Sequence, residues 1–251
     1  MYLWKCWRDT RYPVFTFFCG LAVAYLFYLA IIQDWFGWVA ARSFDLDRDS
    51  WERVAEITLR IAMLLMPLCG FLVGGEALPQ EFSGKTLTYL LSRPRTRGYF
   101  LWLSWLVGAA QLTLLMLVAG FLNQLKPPLA TLPKTAFSTL PMLKLVAAVS
   151  LMTLVVYTLT FTLGVLLRNG RHAVRGTMLF CFVYASLAPV LASQWDWHLP
   201  TFAKLLEQAV LSAAIPGKFT FPLLLSAKWL AFIFTMMAVS QWSFSRYEPQ
   251  A

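Results

Sequence analysis

Residues Val14–Ile32 read VFTFFCGLAVAYLFYLAII, nineteen positions without a charged side chain. A helix needs about 20 mostly apolar residues to cross the hydrocarbon of a bilayer, at about 1.5 Å of rise per residue. The stretch has that length, and Pro13 stands at its entry. A basic leader precedes it, as in a secretory signal. The apolar run, however, exceeds the roughly 7–15 residues of a signal's apolar region, so an uncleaved first span is expected. Composition points the same way. The chain is 59% hydrophobic and 13% charged, with mean hydropathy +0.62, whereas soluble domains carry about a quarter charged residues.

The same criterion, applied outward, finds five more apolar blocks: Ile57–Gly75, Tyr99–Leu122, Met142–Leu167, Thr177–Ser193 and Pro222–Phe244. The fourth is long enough to tilt; the fifth is short and interrupted by Pro189. No repeat or low-complexity linker divides the chain. The expected fold is an all-α integral membrane protein of six transmembrane helices, one domain over residues 1–251.

Orientation follows from the charges between the blocks. Lys5, Arg8 and Arg11 precede the first span; Lys85, Arg93, Arg95 and Arg97 lie between the second and third. Arg168, Arg171 and Arg175 lie between the fourth and fifth, with no acid among them. The opposite side begins with Asp34, Asp45, Asp47, Asp49, Glu52 and Glu56 against three arginines. Basic loops stay in the cytoplasm, which puts both chain ends there. The net charge of +9 is therefore a topology signal. Its scatter between apolar blocks, rather than along one face, argues against nucleic-acid binding.

Three shorter helices are expected outside the spans. Tyr2, Leu3, Trp4 and Trp7 mixed with Lys5, Arg8 and Arg11 suit an N-terminal interfacial helix. Asp49 with Glu52 forms a capping box on the outer side. Between spans five and six, Phe202, Leu205, Leu206, Ala209, Val210 and Ala213 repeat at helical spacing around Lys204, Glu207 and Gln208. That is a short outer amphipathic helix.

Several chemistries are missing. Gly84-Lys85-Thr86 resembles the end of a phosphate-binding loop, but Pro79 occupies the position of its first glycine. ATP hydrolysis by this chain is not expected. Cys6, Cys19, Cys69 and Cys181 show no paired spacing and suit small apolar side chains. His172 and His198 fall on opposite sides of the membrane, so they cannot share a metal. No nucleophile elbow, zinc-binding helix or intramembrane carboxylate pair is present. No catalytic residue, metal or bound cofactor is expected. Arg60 and Lys144 lie near the outer ends of spans and can snorkel. Lys228 lies about six residues into the sixth span, roughly 9 Å deep. It either snorkels or faces a conduit for an anionic substrate.

The most informative stretch runs Gly74-Gly-Glu-Ala-Leu-Pro-Gln-Glu-Phe-Ser-Gly-Lys-Thr-Leu-Thr-Tyr-Leu-Leu-Ser-Arg-Pro-Arg-Thr-Arg97. Thr86, Leu87, Leu90 and Leu91 share one side of a helix. Such an apolar ridge below the membrane can dock in a groove of a soluble partner. Pro94 would end that helix. The segment resembles the cytoplasmic stretch after the second span of ABC-2 type permeases, membrane subunits of ATP-binding-cassette exporters. The matching positions are Glu81, Thr86, Leu87, Leu90, Leu91, Ser92, Pro94 and Arg97. One departure is that glycine comes a place early, at Gly84, with Lys85 in the usual glycine slot. Length, six spans and cytoplasmic ends agree with the family.

The resemblance implies a coupling segment that contacts a separate cytosolic ATPase, which binds ATP and Mg. It also implies two permease copies, a homodimer before a heterodimer, in a bacterial inner membrane. Within the second span, Gly70 and Gly74 form a G-x-x-x-G pair that lets backbones approach, and Pro67 one turn earlier can kink the helix. Two other readings stand beside the exporter. One is a membrane-embedded enzyme acting on lipids, for which no cluster of catalytic side chains assembles. The other is a non-transporting anchor or assembly subunit for an ATPase. The transported substrate is not legible.

Overall fold

The computed structural model describes residues 2–32, 65–83, 96–124, 139–195 and 223–246. These are helical almost throughout: α1 (Tyr2–Ile32), α2 (Met66–Glu76), α3 (Leu78–Ser83), α4 (Arg97–Gln124), α5 (Thr139–Leu167), α6 (Gly170–Trp195) and α7 (Leu223–Ser245). Three of them, α1, α4 and α5, are long and apolar enough to cross a membrane. Described residues that are helical almost throughout, with such helices among them, have the make-up of a membrane protein.

The bundle is built around α5. In its apolar stretch 72% of residues are buried, against 28% in α1 and 39% in α4. Helices α2, α4, α6 and α7 all pack on it. A central helix must be apolar all round, and the polar residues α5 carries are made tolerable locally. The hydroxyls of Thr153, Thr158, Thr160 and Thr162 each donate to the carbonyl four residues back, at 2.8–2.9 Å. Three further bonds tie α5 to its neighbours. Tyr157 donates to Trp105 O at 3.0 Å, Trp105 Nε1 donates to Thr158 Oγ1 at 3.1 Å, and Ser240 Oγ donates to Thr162 Oγ1 at 2.9 Å. Around these bonds Leu21, Tyr28, Val73, Leu112, Phe161 and Met237 form a continuous apolar core. The outer faces of α1, α4, α6 and α7 carry exposed large apolar side chains, among them Phe15, Leu117, Leu179 and Phe234.

Helix α2 sits closest to the centre. A Cβ added at Gly70 would lie 2.8 Å from Thr153 O, and one at Gly74 would lie 2.8 Å from both Tyr157 O and Thr160 Cβ. Any side chain at either position would push α2 off α5. Pro67 occupies the first turn of α2, where its missing N–H is one the helix would leave unpaired anyway.

Two element boundaries differ from those read from the sequence. The expected interfacial entry helix is the first turns of α1, which continues through Pro13 without a break. Proline removes one backbone bond, but contacts on both sides hold the helix. Cys6 and Thr10 are buried, and Thr10 Oγ1 lies 2.7 Å from Gln111 Oε1 of α4. Helix α6 begins at Gly170, two turns before the apolar block, and runs past Pro189 to Trp195. Its early start has a local cause. Arg168 adopts φ 56° and ends α5; Asn169 Oδ1 then accepts from the amides of Arg171 and His172 at 3.0 and 3.3 Å. This is an N-cap that starts a helix regardless of the charge that follows. The expected capping box at Asp49 and the amphipathic helix at Phe202–Ala213 lie outside the described residues.

Candidate functional site

The helix ends that carry basic residues meet at one end of the bundle. Lys5 of α1 forms an ion pair with Glu81 of α3, whose side chain is nearly buried. Helix α3 is itself pinned to α4, because Leu78 N donates to Ser104 Oγ at 3.2 Å. At the start of α4, an Arg97 guanidinium nitrogen donates to Ser245 O, the last residue of α7, at 3.1 Å. Trp102 Nε1 then donates to Gln241 Oε1 at 3.1 Å, one turn along the same pair of helices. The guanidinium of Arg246 lies 4.1 Å over the Trp242 ring.

Glu81 and Arg97, the two ends of the motif read from the sequence, are thus anchored to different helices at the same end. Gly84, Thr86, Leu87, Leu90, Leu91, Ser92 and Pro94 lie outside the described residues, as do His198 and Arg60. Lys228 lies on an exposed face of α7. His172 is exposed in the first turn of α6.

Beside this junction α2 and α6 enclose a groove of about 630 Å³. Gly75 and Gly170 bring the two backbones together at its floor; a Cβ on Gly75 would come within 3.1 Å of Gly170 O. Leu72 and Val174 supply apolar wall, and Glu76, Arg171 and Arg175 supply charge. Burial pushes the Glu76 carboxyl above its usual range, and the neighbouring charge of Asp9 pushes it the same way. Asn169, Gly170 and the groove carry no catalytic motif, which is why sequence reading passed over them. The available signal was Asn169, an N-cap residue type lying in the short gap between the apolar run that ends at Leu167 and the next one.

Among the described residues, no three His, Cys, Asp or Glu side chains gather to hold a metal ion. All four cysteines are free thiols. What the arrangement offers is mechanical and electrostatic: clamped helix ends, a basic surface and a charged groove.

A family model described as a protein of unknown function, DUF2705, matches residues 17–248. The chain belongs to the DUF2705 family. The DUF2705 match takes in α2 to α7 whole, with Glu81, Arg97 and the groove, and starts in α1 beyond Lys5 and Asp9. No curated protein matches the sequence.

Proposed function

We propose that this protein is the membrane subunit of an ATP-binding-cassette exporter of the ABC-2 type, working with a separate cytosolic ATPase. In this reading six helices span the membrane with both ends in the cytoplasm, and the basic end of the bundle is the inner face. The membrane is the bacterial inner membrane, and two copies assemble with two ATPases. ATP and Mg bind in the partner.

The observation that carries the reading is the double anchoring of the motif. Glu81 is held to α1 through Lys5, and Arg97 is held to the end of α7. A load applied between these two residues is delivered to α1, α4 and α7 rather than dissipated in a loose loop. Helix α2, which leads into the motif, lies against the central α5 through Gly70 and Gly74. Movement of α2 would therefore reach the core of the bundle. ATP-driven closure of a docked ATPase would tilt these helices and open a path between them.

The test is co-purification from detergent with the ATPase encoded beside this chain, for wild type and a Leu90→Asp/Leu91→Asp pair. Wild type is expected to retain the ATPase and the pair to lose it while remaining folded in the membrane. Capture by neither would remove the main support and bring the lipid-modifying enzyme forward. Capture without ATP-dependent flux in proteoliposomes would favour the anchor or assembly role.

A further inference from the structure

We propose that the groove between α2 and α6 is a binding site for the phosphodiester headgroup of an anionic glycerophospholipid. The proposal rests on the membrane reading above but not on the ATPase partnership.

The argument begins with the two arginines. Arg171 and Arg175 are one helical turn apart on α6, so their side chains rise on the same face. Both are exposed, and both line the groove. Neither side chain makes a hydrogen bond or ion pair within the described residues. Two guanidinium groups side by side repel one another and are stabilised by an anion that accepts from both. A phosphodiester does this well, because its oxygens match the planar fork of donors. The first amides of α6 do not compete for it, since Asn169 already takes those of Arg171 and His172.

The remaining walls select the source of the phosphate. Leu72 is 40% exposed beside the groove, and beyond it α6 continues with Met178, Leu179, Phe182 and Val183, all exposed. A free phosphate has no use for that surface. A diacyl lipid would seat its headgroup on the arginines and lay its chains along this apolar face. Basic pockets between helices on the cytoplasmic side suit anionic lipid headgroups. Glu76, on the opposite wall, opposes a second negative charge, so two guanidiniums and one carboxyl suit a headgroup with a single net negative charge, which a glycerol phosphodiester has and a zwitterionic headgroup lacks.

The experiment is native mass spectrometry of the full chain in detergent, titrated with dioleoyl-phosphatidylglycerol and, separately, dioleoyl-phosphatidylethanolamine. Wild type is expected to prefer phosphatidylglycerol. Arg171→Ala/Arg175→Ala should weaken that binding by about tenfold or more, from two lost surface cations. Arg246→Ala, at another part of the same end, should leave it unchanged. Glu76→Gln should tighten phosphatidylglycerol by removing a like charge, and it keeps the proposal testable should the arginine pair misfold. Undiminished binding by a folded arginine pair would overturn the proposal. So would displacement of the lipid by millimolar inorganic phosphate, or tighter phosphatidylethanolamine binding that Glu76→Gln weakens. A chain that fails to insert in membranes at all would instead defeat the membrane reading.

Discussion

Lys5 and Glu81 form an ion pair where the basic helix ends meet. Glu81 keeps 10% of its side chain exposed and Lys5 27%, so the pair is sheltered without being sealed. Removing one member of a fully buried pair costs about 3–5 kcal/mol. With Lys5 partly hydrated, Lys5→Ala is expected to cost about 2 kcal/mol, read as a lower thermal midpoint in detergent. The double variant Lys5→Ala/Glu81→Ala should cost less than the sum of the singles, since no carboxylate is then left buried. Full additivity would show that the ion pair contributes nothing.

Glu76 provides a pH test at the same scale. Its folded carboxyl titrates above its ordinary value of 4.5 because burial and Asp9 disfavour the charge. Below 4.5 both folded and unfolded chains hold the proton. As pH rises, the unfolded chain ionises first, so stability falls from about 4.5 up through the folded value. Glu76→Gln has no carboxyl to titrate there. The difference between wild type and variant melting curves is expected to grow in the variant's favour as pH rises through that window. A constant difference would contradict the assignment.

Among the elements, the contact of α2 with α5 is the most constrained. Gly74→Val is expected to cost about 2 kcal/mol, because its side chain meets Tyr157 O and Thr160 Cβ with backbone on one side. Gly20 of α1 is the matched control, with nothing within 4 Å of an added Cβ. Gly20→Ala should therefore stabilise by about 0.5–1 kcal/mol through helix propensity alone. Equal effects at the two positions would mean that α2 does not rest on α5 as described. The lengths of such helices are largely legible in sequence. The apolar blocks Tyr99–Leu122 and Met142–Leu167 fall within a few residues of α4 and α5, because a bilayer sets the run of apolar residues. What an apolar run does not carry is a face. α5 is hydrophobic all round, so no periodicity marks which side meets α2, α4 or α7. The start of α6 was hidden for a different reason. Arg171 and Arg175 interrupt the hydropathy, while the helix obeys the Asn169 cap. The groove was hidden with it, since it exists only where Gly75 and Gly170, distant in sequence, touch.

On the scale of the molecule, Lys5 of α1, Arg97 of α4, Arg171 and Arg175 of α6 and Arg246 after α7 gather at one end of the bundle, the feature on which topology and partnership both turn. A single cysteine replacing Arg246, in a chain whose four natural cysteines are alanine, is expected to react with an impermeant maleimide in inside-out vesicles only. Labelling in intact cells would reverse the orientation. In the exporter reading proposed above an ATPase pushes on Glu81–Arg97, and site-specific photo-crosslinking examines that contact. A photoreactive amino acid at Leu90 should crosslink to the neighbouring ATPase, and the same group at Leu117, on the exposed apolar face of α4, should not. Absence of a crosslink at Leu90 in a folded, membrane-inserted chain co-expressed with that ATPase would mean that no ATPase rests on Glu81–Arg97.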